Sequence, residues 1–544
     1  MKIIYYFFLL SFFVFDYVAF AQYNFRQDGA LSISENYRIH PSTVTQSEVF
    51  ITVHPNNPDI LFSSANTFTP NPFFIGEGVY TTTNGGTSWY GKDTLNGGNI
   101  FFHGGEPGIT ITEKGRFIVT RVGRQPVYGL YSHYSIDNGV TWSNPVTLSQ
   151  NENEYKAVVT TDAFTSSTFN GRVYAAWTRF TPPYPIMFTY SDNGAESWIT
   201  PKQINNPTLR SSGADLTIDQ TGKLYACWAG VQDASPFTEI KIGFATSIDG
   251  GISWITDDNK INMNGINGVL VDKANIRVNG LPRIGIDTTA GQRNGWLYIV
   301  TTQINLAPAG TDPDIILNRS TDGGSTWSSG IRVNQDALNN HKIQYFPALH
   351  IDHTGAINIL YYDDRKTTSD SAGVFLSRST NGGDTWIDYE VSDHNFMPQP
   401  IAGFGTGNQG DNIGLTANGE FLFPAWMDNS SGIYQLWTAP ISFTTVNVEN
   451  QNTIISPTQF SLLQNYPNPF NPATTISFNL PTKSFTTLRI FDSLGNLVQT
   501  LVNEELNTGK YEKIFDASNL SSGVYIYSIQ TKDFTESHGM ILIK

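Results

Sequence analysis

Carboxylates that recur at one fixed place in a chain are natural candidates for acid–base chemistry or cation binding. Asp137, Asp249 and Asp322 recur in this way, in "SIDNGVTW", "SIDGGISW" and "STDGGSTW". Three further octets, "TTNGGTSW" (82–89), "SDNGAESW" (191–198) and "STNGGDTW" (379–386), carry Asn at the same place. The flanking residues assign this position to a turn. An Asp or Asn side chain accepts hydrogen bonds from the amides of its own turn, glycine supplies angles a Cβ would obstruct, and Ser/Thr-Trp resumes the strand. These aspartates are therefore read as structural. Cys227, alone of its kind, lies in the apolar stretch "KLYACWAG" and is read as a small core residue. The nine histidines are scattered, without the close pairing of a zinc site, and no Gly-rich nucleotide loop occurs. Neither a metal nor a cofactor is expected.

Positioning elements follow from the repeat. Successive octet tryptophans stand 53, 56, 56, 73 and 59 residues apart, a period that marks a repeated supersecondary unit. Before each octet lie short β runs, as in "ADLTIDQTGKLYACWAG" and "IKIGFATSIDGGISW", and a fourth run can follow the tryptophan. "DNIGLTANGEFLFPAWMD" with "IYQLWTAPISF" is a seventh unit without an octet. Four-stranded units at this spacing predict an all-β fold with a β-propeller of seven blades, or six with one unit as an extension. Aromatic content of 13% and 48 glycines suit strands and tight turns.

The octets join third strands to fourth, so a site over the channel belongs to the opposite face. There, second strands end with Arg121, Arg124, Arg179, Gln303, Asp363, Asp364, Arg365 and Asp428. First strands begin with Glu48, Glu106, Asp215, Arg283, Tyr345 and Asp411. Charged groups gathered at the mouth of a ring can form a polar pocket.

Residues 40–445 resemble the Asp-box (BNR) propellers of sialidases, on the strength of the six octets. The resemblance implies a glycan-directed exo-glycosidase with an arginine clamp for a substrate carboxylate, a tyrosine nucleophile paired with glutamate, and an aspartate acid. Carried onto this chain, it suggests Tyr345 with Glu106, Asp364 as the acid, and Arg179, Arg283 and Arg365 as the clamp. The sialidase Phe/Tyr-Arg-Ile-Pro motif is incomplete: Tyr37-Arg38-Ile39-His40 has His for Pro, and Arg283-Ile284 falls in the fifth unit. A non-catalytic propeller binding glycans or proteins is the alternative, and a polysaccharide lyase is a third reading.

Both ends read as addresses. Lys2, a long apolar run and Ala19-Phe20-Ala21 predict a signal peptide over 1–21, with a retained anchor as the other possibility. The propeller is assigned to 22–443, a polar linker to 444–459, and a small Ig-like sandwich to 460–544. The last segment carries "NYPNPFNP" (465–472), "DSLGN" (492–496) and "SGVY" (522–525). It resembles the type A C-terminal sorting domain of the type IX secretion system. The resemblance implies transport across the outer membrane by that machinery, to the cell surface or the medium, where an extracellular glycan or glycoprotein would be the partner. Formal charge of −15 argues against nucleic acid, and no transmembrane segment is expected in the mature chain.

Overall fold

The computed structural model describes residues 25–443 and 460–544, except 71–72, 96–101, 126, 267, 404, 464, 466–467 and 533. The signal-peptide segment 1–21 and the linker 444–459 lie outside the described residues. The chain divides into two compact units, Met1–Val446 and Asn447–Lys544. No helix occurs among the described residues.

In the first unit, six four-stranded antiparallel sheets follow one another among the described residues, and a seventh, seven-stranded sheet combines strands from both ends of the unit. Their first strands are Thr45–His54, Phe102–Ile111, Glu154–Thr161, Arg210–Ile218, Arg283–Ile286, Gln344–Ile351 and Gly414–Ala417. Each of these packs against the next, and Gly414–Ala417 packs back against Thr45–His54. The cycle is also closed by hydrogen bonds, since the seventh sheet takes its outer strand from the other end of the unit: Tyr37 pairs with Thr438 and Arg38 with Trp437. This is a β-propeller, and sharing a sheet between the two chain ends removes the open edge that a strand stack would leave.

Second strands run almost wholly buried, as in Leu224–Val231, Leu297–Gln303 and Ile357–Asp363. Between neighbouring sheets, apolar layers interlock; Tyr225, Phe244, Ile284 and Ile299 form one, with Cys227 inside it. The octets make the turns expected of them. Asp137 Oδ1 accepts from Thr141 N (2.9 Å), and Ser135 Oγ accepts from Gly139 N (2.9 Å). Trp142 Nε1 donates back to Gly139 O (3.1 Å). Asn381 and Ser379 repeat the pattern. The side-chain oxygens of the octet Asp and Asn residues are spent on the amides and hydroxyls of their own turns.

The long 73-residue interval holds an insert between the fourth and fifth sheets, a hairpin of Gly268–Leu270 with Ile276–Val278. Its Ile266, Leu270, Ile276 and Val278 share a buried cluster with Tyr345, Leu360 and Val374 of the sixth sheet. Lys273, at the hairpin's end, is fully buried and meets Asp364 at 2.8 Å.

The second unit is a two-sheet sandwich. Ser461–Leu462, Ala473–Leu480 and Gly509–Asp516 form one sheet; Leu497–Leu506, Ser484–Asp492, Gly523–Gln530 and Thr535–Leu542 form the other. Ile476, Phe478, Leu488, Ile490, Phe515, Tyr527 and Met540 fill the space between them. The "DSLGN" turn is closed by Asp492 Oδ1, which accepts from Leu494 N and Asn496 N, with Gly495 left-handed (φ 82°).

Candidate functional site

Five first strands carry a β-bulge near their starting ends: Ser47/Phe50, Gly105/Gly108, Tyr155/Val158, Ser212/Asp215 and Tyr345/Ala348. In four of them a non-glycine residue takes left-handed backbone angles: Glu48 (φ 52°), Glu106 (65°), Lys156 (45°) and Phe346 (53°). Each such residue costs on the order of 1 kcal/mol, and strain of this kind concentrates at functional sites. Asn66 Oδ1 caps the second bulge by accepting from Glu106 N (2.7 Å).

The bulges of the first three sheets aim Glu48, Glu106 and Lys156 at one place, where Asp411 arrives just before the seventh sheet. Lys156 Nζ lies 3.0 Å from Asp411 Oδ1 and 4.0 Å from Glu106 Oε2. Glu48 is 1% exposed and Glu106 5%, and Oε2 of each is buried without a hydrogen-bond partner. Glu48, Glu106 and Asp411 each bring a carboxylate oxygen within 4.8 Å of the other two. Such a trio is able to hold a cation, but the Lys156 ammonium already supplies positive charge to it.

The environment splits these acids. Burial, then the like charges of Glu106 and Asp411, pushes Glu48 well above the usual carboxylate range. Burial also raises Glu106, against the pull of Lys156. Burial works on Asp411 as well, but Lys156 outweighs it and holds that carboxyl low. Tyr155 adjoins the cluster: burial, then the negative charges of Glu106, Glu48 and Asp411, pushes its hydroxyl well above the usual tyrosine range.

Beside this cluster opens a cavity of about 470 Å³ between the third and fourth sheets and the hairpin. Tyr155, Phe180 and Phe237 give it aromatic walls, Arg210 and Arg277 line it, and Asp411 reaches it. No octet residue takes part in its lining. Another cavity, about 490 Å³, lies on the outer strands beside octet residues Ser325, Thr326 and Trp327. Its ion pair, Lys260 with Asp257 at 3.9 Å, is open to solvent, and no buried carboxylates gather there.

The six residues carried over from the sialidase resemblance do not converge. Glu106 is in the cluster, but its tyrosine is Tyr155. Tyr345 is fully buried and packs at a tilt against Tyr362 and edge-on against Phe346 within a hydrophobic cluster; no hydrogen bond joins it to Glu106. Asp364 is the anchor of Lys273 and also accepts from Ile343 N. Arg179 pairs with Glu154 of its own sheet. Arg365 is bound by Asp363 and Asp388, and Arg283 donates to Asn412 beside the cluster. Each arginine is thus taken by a different partner. The positional reading fared better: Glu48, Glu106 and Asp411 meet, with Asp215 and Arg283 adjoining through their electrostatic interaction. Lys156 and Tyr155 were missed. Aligning "EVFIT", "EPGIT" and "KAVVT" would have found Lys156, which shares the register of the two glutamates.

Fold and site define a β-propeller with a buried acid cluster where its first three sheets and the entry to the seventh meet. Residues 464–544 match the family described as the secretion system C-terminal sorting domain. The tail marks the chain for type IX export, to the cell surface or the medium. No helix among the described residues is long and apolar enough to cross a membrane. No curated protein sequence matches the chain. Among solved structures, a PL25 ulvan lyase bound to -[GlcA(1-4)Rha3S]- aligns with TM-score 0.47 and 11% identity over 74% of this chain and 94% of its own. The Penicillium chrysogenum α-L-arabinanase aligns with TM-score 0.43 and 11% identity, covering 64% and 98%. The NanB sialidase of Streptococcus pneumoniae gives 0.36 and 12%, covering 75% and 71%.

Proposed function

We propose that this chain is a seven-bladed, glycan-directed propeller that acts outside the cell as an exo-glycosidase. The observation that carries the reading is the Tyr155–Glu106 pair, one member lining a cavity with aromatic walls and the other buried behind it. Aromatic rings offer flat apolar faces to a sugar ring, and a few convergent polar groups fix its orientation. In this reading Tyr155 attacks the anomeric carbon as the glycosidic bond breaks, its phenolic proton passes to Glu106, whose raised basicity suits a general base, and the leaving oxygen takes a proton from water in the cavity. A second water then displaces the sugar, and Glu106 returns the proton to the tyrosine oxygen. Asp411, held ionised by Lys156, stands beside the positive charge that develops on the sugar. Carboxylate oxygens within 4.8 Å of one another leave no room for the water of an inverting pair, which needs about 6.5–9.5 Å.

A non-catalytic glycan-binding role is the second reading. It is favoured by the Lys156–Asp411 ion pair, which occupies the acid nearest the cavity, and by the three arginines that stay apart. Purified full-length protein assayed against a panel of fluorogenic glycosides, alongside glycan binding, separates the two. Turnover that Tyr155→Phe lowers by about 10²-fold or more, with binding retained, supports the enzyme. Glycan binding without turnover leaves the binding role, and neither result on any glycan refutes both.

A further inference from the structure

Glu48 is the costliest side chain in the cluster. It is 1% exposed, stands on a left-handed bulge residue, and has no part in the cavity lining. Its backbone amide faces Met427 Sδ at 3.2 Å, a weak acceptor. A carboxyl placed beyond a ligand's reach, against a second buried carboxyl, must act through its neighbour or carry a large penalty for nothing.

The charged and titratable groups that face the pair are few. Lys156 comes from the third sheet's first strand, Asp411 from the segment before the seventh sheet, and Tyr155 from beside Lys156. Glu77, on a third strand, adds negative charge near Glu106. Arg283 and Arg277 act on Asp411. The Lys156 ammonium approaches Asp411 more closely than it does Glu106, and Glu48 has no cation within ion-pair distance. Two buried acids with oxygens within 4.8 Å of each other, one weakly compensated and one without an ion-pair partner, hold a single proton between them, because like charges this close do not both ionise.

We propose that Glu48 is a positioning residue: it shares one proton with Glu106, whose carboxylate oxygen lies within 4.8 Å of its own, and so sets the protonation of the base behind Tyr155. This rests on the reading of Tyr155 and Glu106 as the reacting pair. Glu48 touches no ligand. When Glu106 takes the phenolic proton, its bond to the shared proton is released to Glu48, and the pair then carries two protons and no charge. The reverse transfer resets it.

Infrared spectroscopy of the full-length protein at pH 7 tests the sharing without requiring turnover. A buried, protonated carboxylic acid gives a carbonyl band that Glu48→Gln should remove and Glu48→Asp should retain. Glu77, Asp215 and Asp363, also raised by burial, contribute equally to every variant and cancel in the difference. Identical spectra for wild type and Glu48→Gln overturn the proposal. Should Glu48→Gln not fold, Glu106→Gln replaces it, since a shared proton requires either substitution to alter the band. On a turned-over glycoside, Glu48→Gln is expected to lower kcat about 10-fold with KM within about 2-fold, and to lose the alkaline limb of the pH–rate profile. Rescue by Gln, with an unchanged profile, would assign Glu48 a merely structural role. Absence of turnover in the wild type refutes the reacting pair but leaves the infrared result standing; turnover with a profile indifferent to Glu48 does the opposite.

Discussion

Lys273 and Asp364 are both completely buried and meet at 2.8 Å. The ammonium's remaining hydrogens go to the carbonyls of Ser369 (2.7 Å) and Ser371 (2.9 Å), and Asp364 Oδ1 takes the Ile343 amide at 2.8 Å. Breaking a buried pair of this kind leaves one ion desolvated and uncompensated, which costs about 3–5 kcal/mol. Lys273→Met and Asp364→Leu, made singly, should each lose about that much. Together they remove both charges and bury two apolar side chains, so the double variant should lose well under the sum, with a coupling of about 2 kcal/mol or more. Denaturant titration followed by tryptophan fluorescence reads this cleanly. All 11 tryptophans precede residue 438, so the signal reports the first unit alone. If either single variant costs under about 1 kcal/mol, or the double variant equals the sum, the anchor argument is wrong. The experiment also decides the role of Asp364. A general acid replaced at this position would lose rate without loss of stability, whereas an anchor loses stability first.

Two other expectations follow from the same geometry. His394 hydrogen-bonds Asp428 and then Asp393, which together outweigh burial and raise its pKa to about 9. Its folded-state pKa therefore lies above the unfolded value of about 6.5, so its contribution is fully present below that value and is lost as pH rises through about 9. The thermal midpoint of the wild type should fall across this window more steeply than that of His394→Asn; parallel curves would remove His394 from the account. Gly251 is left-handed (φ +89°), and a Cβ there would sit 2.3 Å from Phe188 Cε1. Gly251→Ala should cost about 2–5 kcal/mol from backbone strain and overpacking together, against less than about 1 kcal/mol for exposed Gly291→Ala, by the same titration.

The repeated octets made the fold legible because a turn is a local object. Asp137 and Thr141, or Gly251 and Trp254, lie four residues apart or fewer, so spacing alone states which atoms can meet. The tail was legible in the same way, through "NYPNPFNP" and "DSLGN", whereas the hairpin insert showed only as a longer interval between tryptophans. Strand direction set Glu48, Glu106 and Asp411 among the fourteen residues assigned to the face opposite the octets, but did not say which of the fourteen meet. What the sequence could not supply was angle about the ring. Tyr345 and Tyr155 begin their strands in equivalent positions, yet one points into a core beneath the hairpin and the other into a cavity. Asp364 looked like a free acid until a lysine 91 residues earlier was brought against it. Local spacing determined the turns, the strands and the export label. Only closure of the ring, which sets residues from four sheets within a few ångströms, decided which carboxylates share a site and which proton they hold.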